Sequence, residues 1–241
     1  MTVPHDGWAR HYDQVLERTF GRAYRDFTER TLREVRERVV PPARIIDFGA
    51  GTGRLAVPLA SEGYRVTAVD PSGAMLERLR LKESGAPSAI ECVVSGVEDY
   101  SGHIEHDFAL CVFTVLGYLL DERALSRAAR SMAAALRPGG LLLIDIPGRV
   151  VFEGFDIETD DVIRCVEIDA AEGGGDLFWY RERTAIQVDG VQEAYEDTFV
   201  VRYWPREAVL EVLDAAGFDL EEDVSEGFAQ WDADYLLLRR R

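Results

Sequence analysis

Ile45-Ile46-Asp47-Phe48-Gly49-Ala50-Gly51-Thr52-Gly53, followed by Arg54-Leu55-Ala56-Val57-Pro58-Leu59-Ala60, decides the fold. Two β-branched apolar residues lead into an acid, three alternate glycines follow, and a helical stretch comes next. The pattern predicts a strand, a tight glycine turn and a helix N-terminus. Glycine admits backbone conformations that a Cβ forbids and lets a nucleotide-like ligand approach the main chain. The helix start adds free N–H groups. Spacing then narrows the ligand. A dinucleotide turn reads G-x-G-x-x-G, which from Gly49 would place its last glycine at position 54; that position holds arginine, and the glycine is Gly53.

A second anchor stands downstream. Arg65-Val66-Thr67-Ala68-Val69-Asp70 reads as the next strand and ends in an acid, and a carboxylate there can take both hydroxyls of a ribose. Pro71-Ser72 opens a helix with Met75 and Leu76 on its inner face. Three more segments extend the series: Gly96-Val97-Glu98-Asp99-Tyr100 after a third strand, Phe113-Thr114-Val115-Leu116-Gly117-Tyr118 after a fourth, and Leu136-Arg137-Pro138-Gly139-Gly140 into a fifth. The acid two residues before the G-x-G-x-G run resembles motif I of class I S-adenosylmethionine (SAM) methyltransferases. The ordered set over residues 44–146 carries the resemblance.

The resemblance implies a Rossmann-like α/β fold with SAM as cofactor. The cofactor-binding positions it implies are Asp47, Gly49, Gly51, Gly53, Asp70, Pro71, Met75, Gly96, Val97, Glu98 and Phe113. Asp47 would meet the SAM ammonium, directly or through water, or else orient the glycine turn. Asp70 would hold the ribose and Met75 would pack on adenine, although the spacing of Met75 fits plain helix core equally. Where family members place an acid and a small residue to read adenine, this chain has Gly96-Val97, so that contact is absent or falls to Glu98. Tyr118 and Tyr12, the latter in His11-Tyr12-Asp13, are the candidates to face the methyl group and the substrate. The N-terminal Tyr-Asp pair resembles the lid helix of small-molecule members, though Tyr12 also suits an ordinary amphipathic helix. His103 and His106 precede the fourth strand, at the wrong end of the sheet, and read as surface-turn residues.

Bulk composition restricts the partners. The chain has 241 residues, 44 acids against 27 bases and a formal net charge of −17, which argues against nucleic acid, whose binders neutralise phosphates with a basic face. Arg33, Arg36 and Arg38 and the terminal Arg239-Arg240-Arg241 are the basic clusters, read as a solvated helix face and a frayed end. Three cysteines without ligand spacing fit a reducing compartment, and no metal site is expected. The polar opening Met1-Thr2-Val3-Pro4-His5-Asp6-Gly7 does not read as a signal peptide, and the apolar run Phe108 to Leu120 is too short to span a bilayer. The expectation is a cytoplasmic protein with no membrane partner.

One domain is expected over 1–241, in four parts. Residues 1–43 form a helical N-terminal cap ending at Pro41-Pro42. Residues 44–150 form the SAM-binding core, with strands near 44–48, 65–70, 90–94, 107–113 and 140–146 and Pro138-Gly139-Gly140 as the turn before the fifth. Residues 151–204 form an antiparallel β insertion of three strands, acting as a lid or a homodimer contact, with turns at Gly173-Gly174-Gly175 and Asp189-Gly190. Residues 205–241 supply a helix and a hairpin that complete a seven-stranded mixed sheet. In the insertion, Trp179, Arg181 and Arg183 share one face and Tyr180 the other. The resemblance implies methylation of a small molecule, with N-methylation ahead through similarity to amino-sugar and glycine N-methyltransferases. An RNA or protein methyltransferase, an NAD-dependent oxidoreductase and a non-enzymatic binding module are the rival readings.

Overall fold

Arg44–Phe48 form β1, four of whose five residues are buried, in the interior of a seven-stranded sheet. A computed structural model describes residues 3–83, 90–102, 105–172 and 175–241. Arg65–Asp70 (β2), Ile90–Val94 (β3), His106–Cys111 (β4) and Leu136–Pro147 (β5) run parallel to β1. Phe218–Asp223 (β10) and Ala233–Arg240 (β11) add the antiparallel edge, giving the order β10-β11-β5-β4-β1-β2-β3. The winding reverses between β1 and β4, and ligands of open α/β sheets bind at that crevice, beyond the strands' carboxyl ends.

Helices cover both faces, as buried parallel strands require. One face packs on Glu122–Ala135 (α4) and Arg206–Ala215 (α5), through Phe48, Ile144, Met132 and Leu213. The other packs on Tyr12–Arg36 (α1), Ala56–Ser61 (α2) and Gly73–Lys82 (α3), through Phe27, Leu59, Leu76 and Phe108. Ahead of α1, Asp6–His11 form a 3-10 turn that lies against α3.

The segment after β5 forms a separate antiparallel sheet of four strands, one more than expected: Phe155–Glu158 (β6), Val162–Ala170 (β7), Leu177–Val188 (β8) and Val191–Arg202 (β9). β6 is a four-residue edge strand, too short for a readable alternation. Asp189 and Gly190, both at positive φ (51° and 82°), make the expected tight turn between β8 and β9. Gly173 and Gly174 of the other turn lie outside the described residues. Trp8, Val15, Val162 and Ile186 form an apolar cluster that fastens this sheet to the N-terminal segment. Losing the fully buried Trp8 would cost roughly 3–5 kcal/mol.

Two local readings are corrected. Pro138-Gly139-Gly140 does not precede β5 but bulges from it: the pairing with β4 jumps from His106–Leu136 to Phe108–Leu141. His106 is not a surface residue. It is 1% exposed and opens β4, with Nδ1 2.9 Å from the Ala135 carbonyl and Nε2 3.0 Å from Thr67 Oγ1, and burial lowers its pKa. A histidine with both ring nitrogens satisfied fits inside a sheet. His103 lies outside the described residues.

Candidate active site

The glycine turn leaves β1 through positive φ angles at Gly49 (75°), Gly51 (53°) and Gly53 (84°). A Cβ on Gly49 would meet Val115 Cγ2 at 2.3 Å, whereas one on Gly51 would find only the turn's own Gly49 carbonyl, at 4.0 Å. Gly51 thus presents open backbone. Asp70 joins this turn to the next one: its Oδ2 accepts the Gly51 N–H (2.8 Å) and its Oδ1 accepts the Ser72 N–H (2.8 Å). Burial raises the Asp70 pKa and those two donors oppose the rise. Each oxygen keeps acceptor capacity for a further donor.

Asp47, 3% exposed, has its pKa pushed up to about 7, chiefly by burial, with Arg54 opposing and Asp70 reinforcing the shift. The Arg54 guanidinium lies among three rings, 5.1 Å from Tyr24 and 4.8 Å from both Phe27 and Phe113, and donates to Thr28 Oγ1. A buried carboxylate half-ionised at neutral pH is a ready partner for a cation. An open glycine backbone beside it, with a two-turn carboxylate for hydroxyls, is a donor and acceptor set that suits a nucleoside bearing an ammonium.

A second set of side chains gathers beyond β4. Phe113 and Thr114 both take positive φ (72° and 68°), and Asp145 near the end of β5 holds that turn by accepting the Thr114 N–H (2.9 Å). Burial lifts Asp145 to about 7 against the pull of these backbone donors. The turn delivers the short helix Val115–Tyr118, and the Tyr118 hydroxyl lies 2.8 Å from His5 Nε2. His5 also meets Tyr12, with ring centroids 5.6 Å apart. The wall opposite comes from the second sheet: Phe199 beside Tyr118 (5.7 Å), Tyr180 stacked on Phe199 (4.7 Å, 14°), and the buried pair Arg164 and Glu182 (2.7 Å). His5 Nδ1, Arg164 Nη1 and Glu182 Oε2 are buried without a hydrogen-bond partner.

Residues 45–140 match a methyltransferase domain family. A Geobacillus sp. (strain WCH70) protein named as a methyltransferase is 30% identical over 60% of this chain and 58% of its own length, so the chain spans about three-fifths of that relative. Among solved structures, a SAM-dependent methyltransferase from Clostridium acetobutylicum superposes with a TM-score of 0.79 at 15% identity, covering 98% of both chains. A sugar N-methyltransferase from Streptoalloteichus sp. gives 0.74 at 22% identity, covering 100% of this chain and 95% of that one. Residues 45–140 are thus similar to a methyltransferase domain, and the fold is the one these SAM-dependent methyltransferases share.

Of the positions expected to bind the cofactor, Asp70 joins Gly51 through a hydrogen bond (2.8 Å), Asp47 lies buried at the end of β1, and Gly49 and Gly53 pack toward Val115 and Leu79. Pro71 is exposed, and the Met75 N–H is capped by Ser72 Oγ (3.0 Å). Gly96 and Glu98 touch each other, since a Cβ on Gly96 would meet Glu98 Oε2 at 2.7 Å. Val97 joins the apolar core with Phe48 and Tyr100, and Phe113 packs on α1 and Arg54. Both candidate catalytic tyrosines, Tyr118 and Tyr12, reach the same histidine. The inserted sheet turns the other face inward from the aromatic and arginine face of the sequence reading. Tyr180, Glu182 and Thr184 point in, whereas Trp179, Arg181 and Arg183 point out, with Arg181 and Arg183 paired to Asp169 and Glu167. Sequence reasoning also missed His5, Arg54 and Asp145. An acid inside the apolar run Leu141-Leu142-Leu143-Ile144-Asp145-Ile146 was a visible signal; His5 offered none. Among the described residues no group of three or more histidines, cysteines or acids could hold a metal, and no helix is long and apolar enough to cross a membrane.

Proposed function

We propose that this protein transfers the methyl group of SAM to a small-molecule amine, one that carries a further polar group such as a hydroxyl close to the nitrogen. The reading is supported chiefly by unpartnered buried atoms beyond β4: Glu182 Oε2 asks for a donor and Arg164 Nη1 for an acceptor, on side chains already paired through Arg164 Nε and Glu182 Oε1 (2.7 Å). Leaving such groups unpaired costs about 1–3 kcal/mol each, so a ligand that satisfies them gains affinity. The sugar N-methyltransferase neighbour is named for chemistry of this kind.

SAM brings an already activated methyl group when bound, so the protein's task is positioning and dryness. Tyr118 can accept an amine N–H and turn the nitrogen lone pair, while Trp8, Tyr12 and Phe199 wall off water. Purified protein incubated with SAM and a panel of amino alcohols, simple amines, phenols and carboxylic acids tests the reading by release of S-adenosylhomocysteine. Amino alcohols are expected to lead the panel. Release only with phenols or only with tRNA would overturn the amine assignment, and NADH binding tighter than S-adenosylhomocysteine would overturn the cofactor. The outward Trp179, Arg181 and Arg183 leave the homodimer reading of the insertion as a further proposal, tested by sedimentation.

A further inference from the structure

His5 holds φ 66° and ψ −1°, a left-handed conformation that costs energy for a residue with a side chain. Two contacts fix it there. Its backbone N–H donates to Asp197 Oδ2 (2.5 Å), and its ring stands edge-on to Trp8 (5.3 Å) and Phe199 (5.2 Å). The charged and titratable groups facing the ring are Asp197 from β9, Arg164 from β7, Tyr12 from α1 and Tyr118 from the turn after β4. Tyr118 in turn faces Tyr12, Tyr180, Glu182 and Asp197.

Burial and Arg164 lower the His5 pKa to about 4 against the pull of Asp197, so at neutral pH the imidazole carries one proton. Asp197 Oδ2 lies 3.8 Å from Nδ1 and favours that proton on Nδ1. Nε2 is then an acceptor, and the hydroxyl 2.8 Å away must donate to it. Tyr118 keeps 38% of its surface exposed, but its hydroxyl packs against His5, and burial of that hydroxyl together with the neighbouring tyrosines and acids raises its pKa, so it remains a phenol.

We propose that His5 is a positioning residue for methyl transfer: by taking the Tyr118 O–H on Nε2, it leaves the phenol oxygen to accept an N–H of the acceptor amine. This rests on the amine reading above. Without His5 the phenol could donate to the amine lone pair and block the atom that must attack. His5 forms and breaks no covalent bond, and it is not the base. A lysine-like ammonium has a pKa of about 10, so its proton would not rest on an imidazole near 4. The histidine arrives only when the N-terminal segment is docked through Trp8 and Val15 on the inserted sheet.

Proton–nitrogen correlation spectra of the imidazoles, on the full chain with S-adenosylhomocysteine at neutral pH, test the bond without an acceptor. The expected His5 signature is a protonated Nδ1 and a bare Nε2 that shifts in Tyr118→Phe, with His106 unmoved. A protonated Nε2, or no response to Tyr118→Phe, overturns the proposal. Turnover on the best amino alcohol of the panel tests the role. His5→Leu should lower kcat about as far as Tyr118→Phe, with the double variant no lower than either. His5→Gln, whose amide oxygen can accept the same O–H, should recover most of the loss. Additive losses in the double variant would mean that His5 does not act through Tyr118. Absence of turnover with every amine, in protein that binds S-adenosylhomocysteine, removes the amine reading and this role together. The imidazole signature distinguishes that failure from a missing bond.

Discussion

Asp47 is buried at the carboxyl end of β1 with its pKa held near 7, well above an ordinary aspartate. The folded state therefore binds more protons than the unfolded chain between about pH 4 and 7, so stability falls as pH rises across that window and levels off above it. Cofactor binding should run the other way. An ammonium pairing with Asp47 needs the ionised form, so S-adenosylhomocysteine affinity should rise from pH 6 to 8 with release of a proton. Calorimetry in two buffers of different ionisation enthalpy measures both, and Asp47→Asn should weaken binding and flatten the profile. A flat profile in the parent would mean that Asp47 orients the turn and does not meet the ammonium. At Tyr118, loss of the hydroxyl alone should slow turnover by roughly 10–100-fold with S-adenosylhomocysteine affinity and melting temperature nearly unchanged. Unaltered turnover in folded Tyr118→Phe would make it a packing residue. Asp47 and Asp70 were legible because each sits at a fixed offset from a glycine turn or strand end. His5 was not, since its partner Tyr118 lies 113 residues away, and Asp145 showed only as an acid in an apolar run, its partner Thr114 lying 31 residues off.

Among elements, the N-terminal cap and the cofactor turns share their anchors. Asp13 at the start of α1 accepts from Thr52 Oγ1 (2.5 Å) in the glycine turn and pairs with Lys82 (2.5 Å) at the end of α3. Lys82, the chain's only lysine, also donates to the Thr52 carbonyl (2.8 Å). Asp6 accepts from Ser72 Oγ (2.5 Å), beside the backbone that Asp70 holds. Half-exposed ion pairs are weak, so Asp13→Asn or Lys82→Met should cost only about 0.5–1.5 kcal/mol of S-adenosylhomocysteine binding, roughly 2–12-fold. The more telling readout is proteolysis: both variants should free the segment before Tyr12 to cleavage that the cofactor suppresses in the parent. Equal cleavage in parent and variants would reduce the contact to a surface pair. The βαβ rhythm of the core was readable because buried parallel strands are continuous apolar runs between turn signals. The inserted sheet was readable as alternation, but alternation alone does not say which face turns inward. Trp8 and Val15 decide that, by offering an apolar surface to Val162 and Ile186.

Across the whole molecule, charge separates a small-molecule enzyme from a nucleic-acid one. The net charge of −17 sets a repulsive field, and salt at physiological strength screens it beyond about 8 Å without reversing it. Local basic strips would have to overcome that field, and four arginines of the two strips suggested by sequence are taken by carboxylates. Arg36 chelates Glu62 (2.9 and 2.6 Å), and Arg38 pairs with Glu34 (2.7 Å) and Glu222 (2.8 Å). At the other end Arg239 is bidentate on Glu221 (2.7 and 2.8 Å), and Arg241 reaches Asp214 (2.8 Å) and Asp219 (2.6 Å). A phosphate would have to displace these carboxylates before gaining a contact. Bulk tRNA and duplex DNA should therefore produce no gel shift at physiological salt. Lowering the salt should not rescue binding, because too few counterions are released to give a steep dependence. A steep log–log salt slope, reduced by about one unit on neutralising Arg36 or Arg239, would instead show a basic track formed by exchange of these partners. That outcome would return an RNA acceptor to the front and make the side chains around Tyr118 the candidates to hold a flipped base.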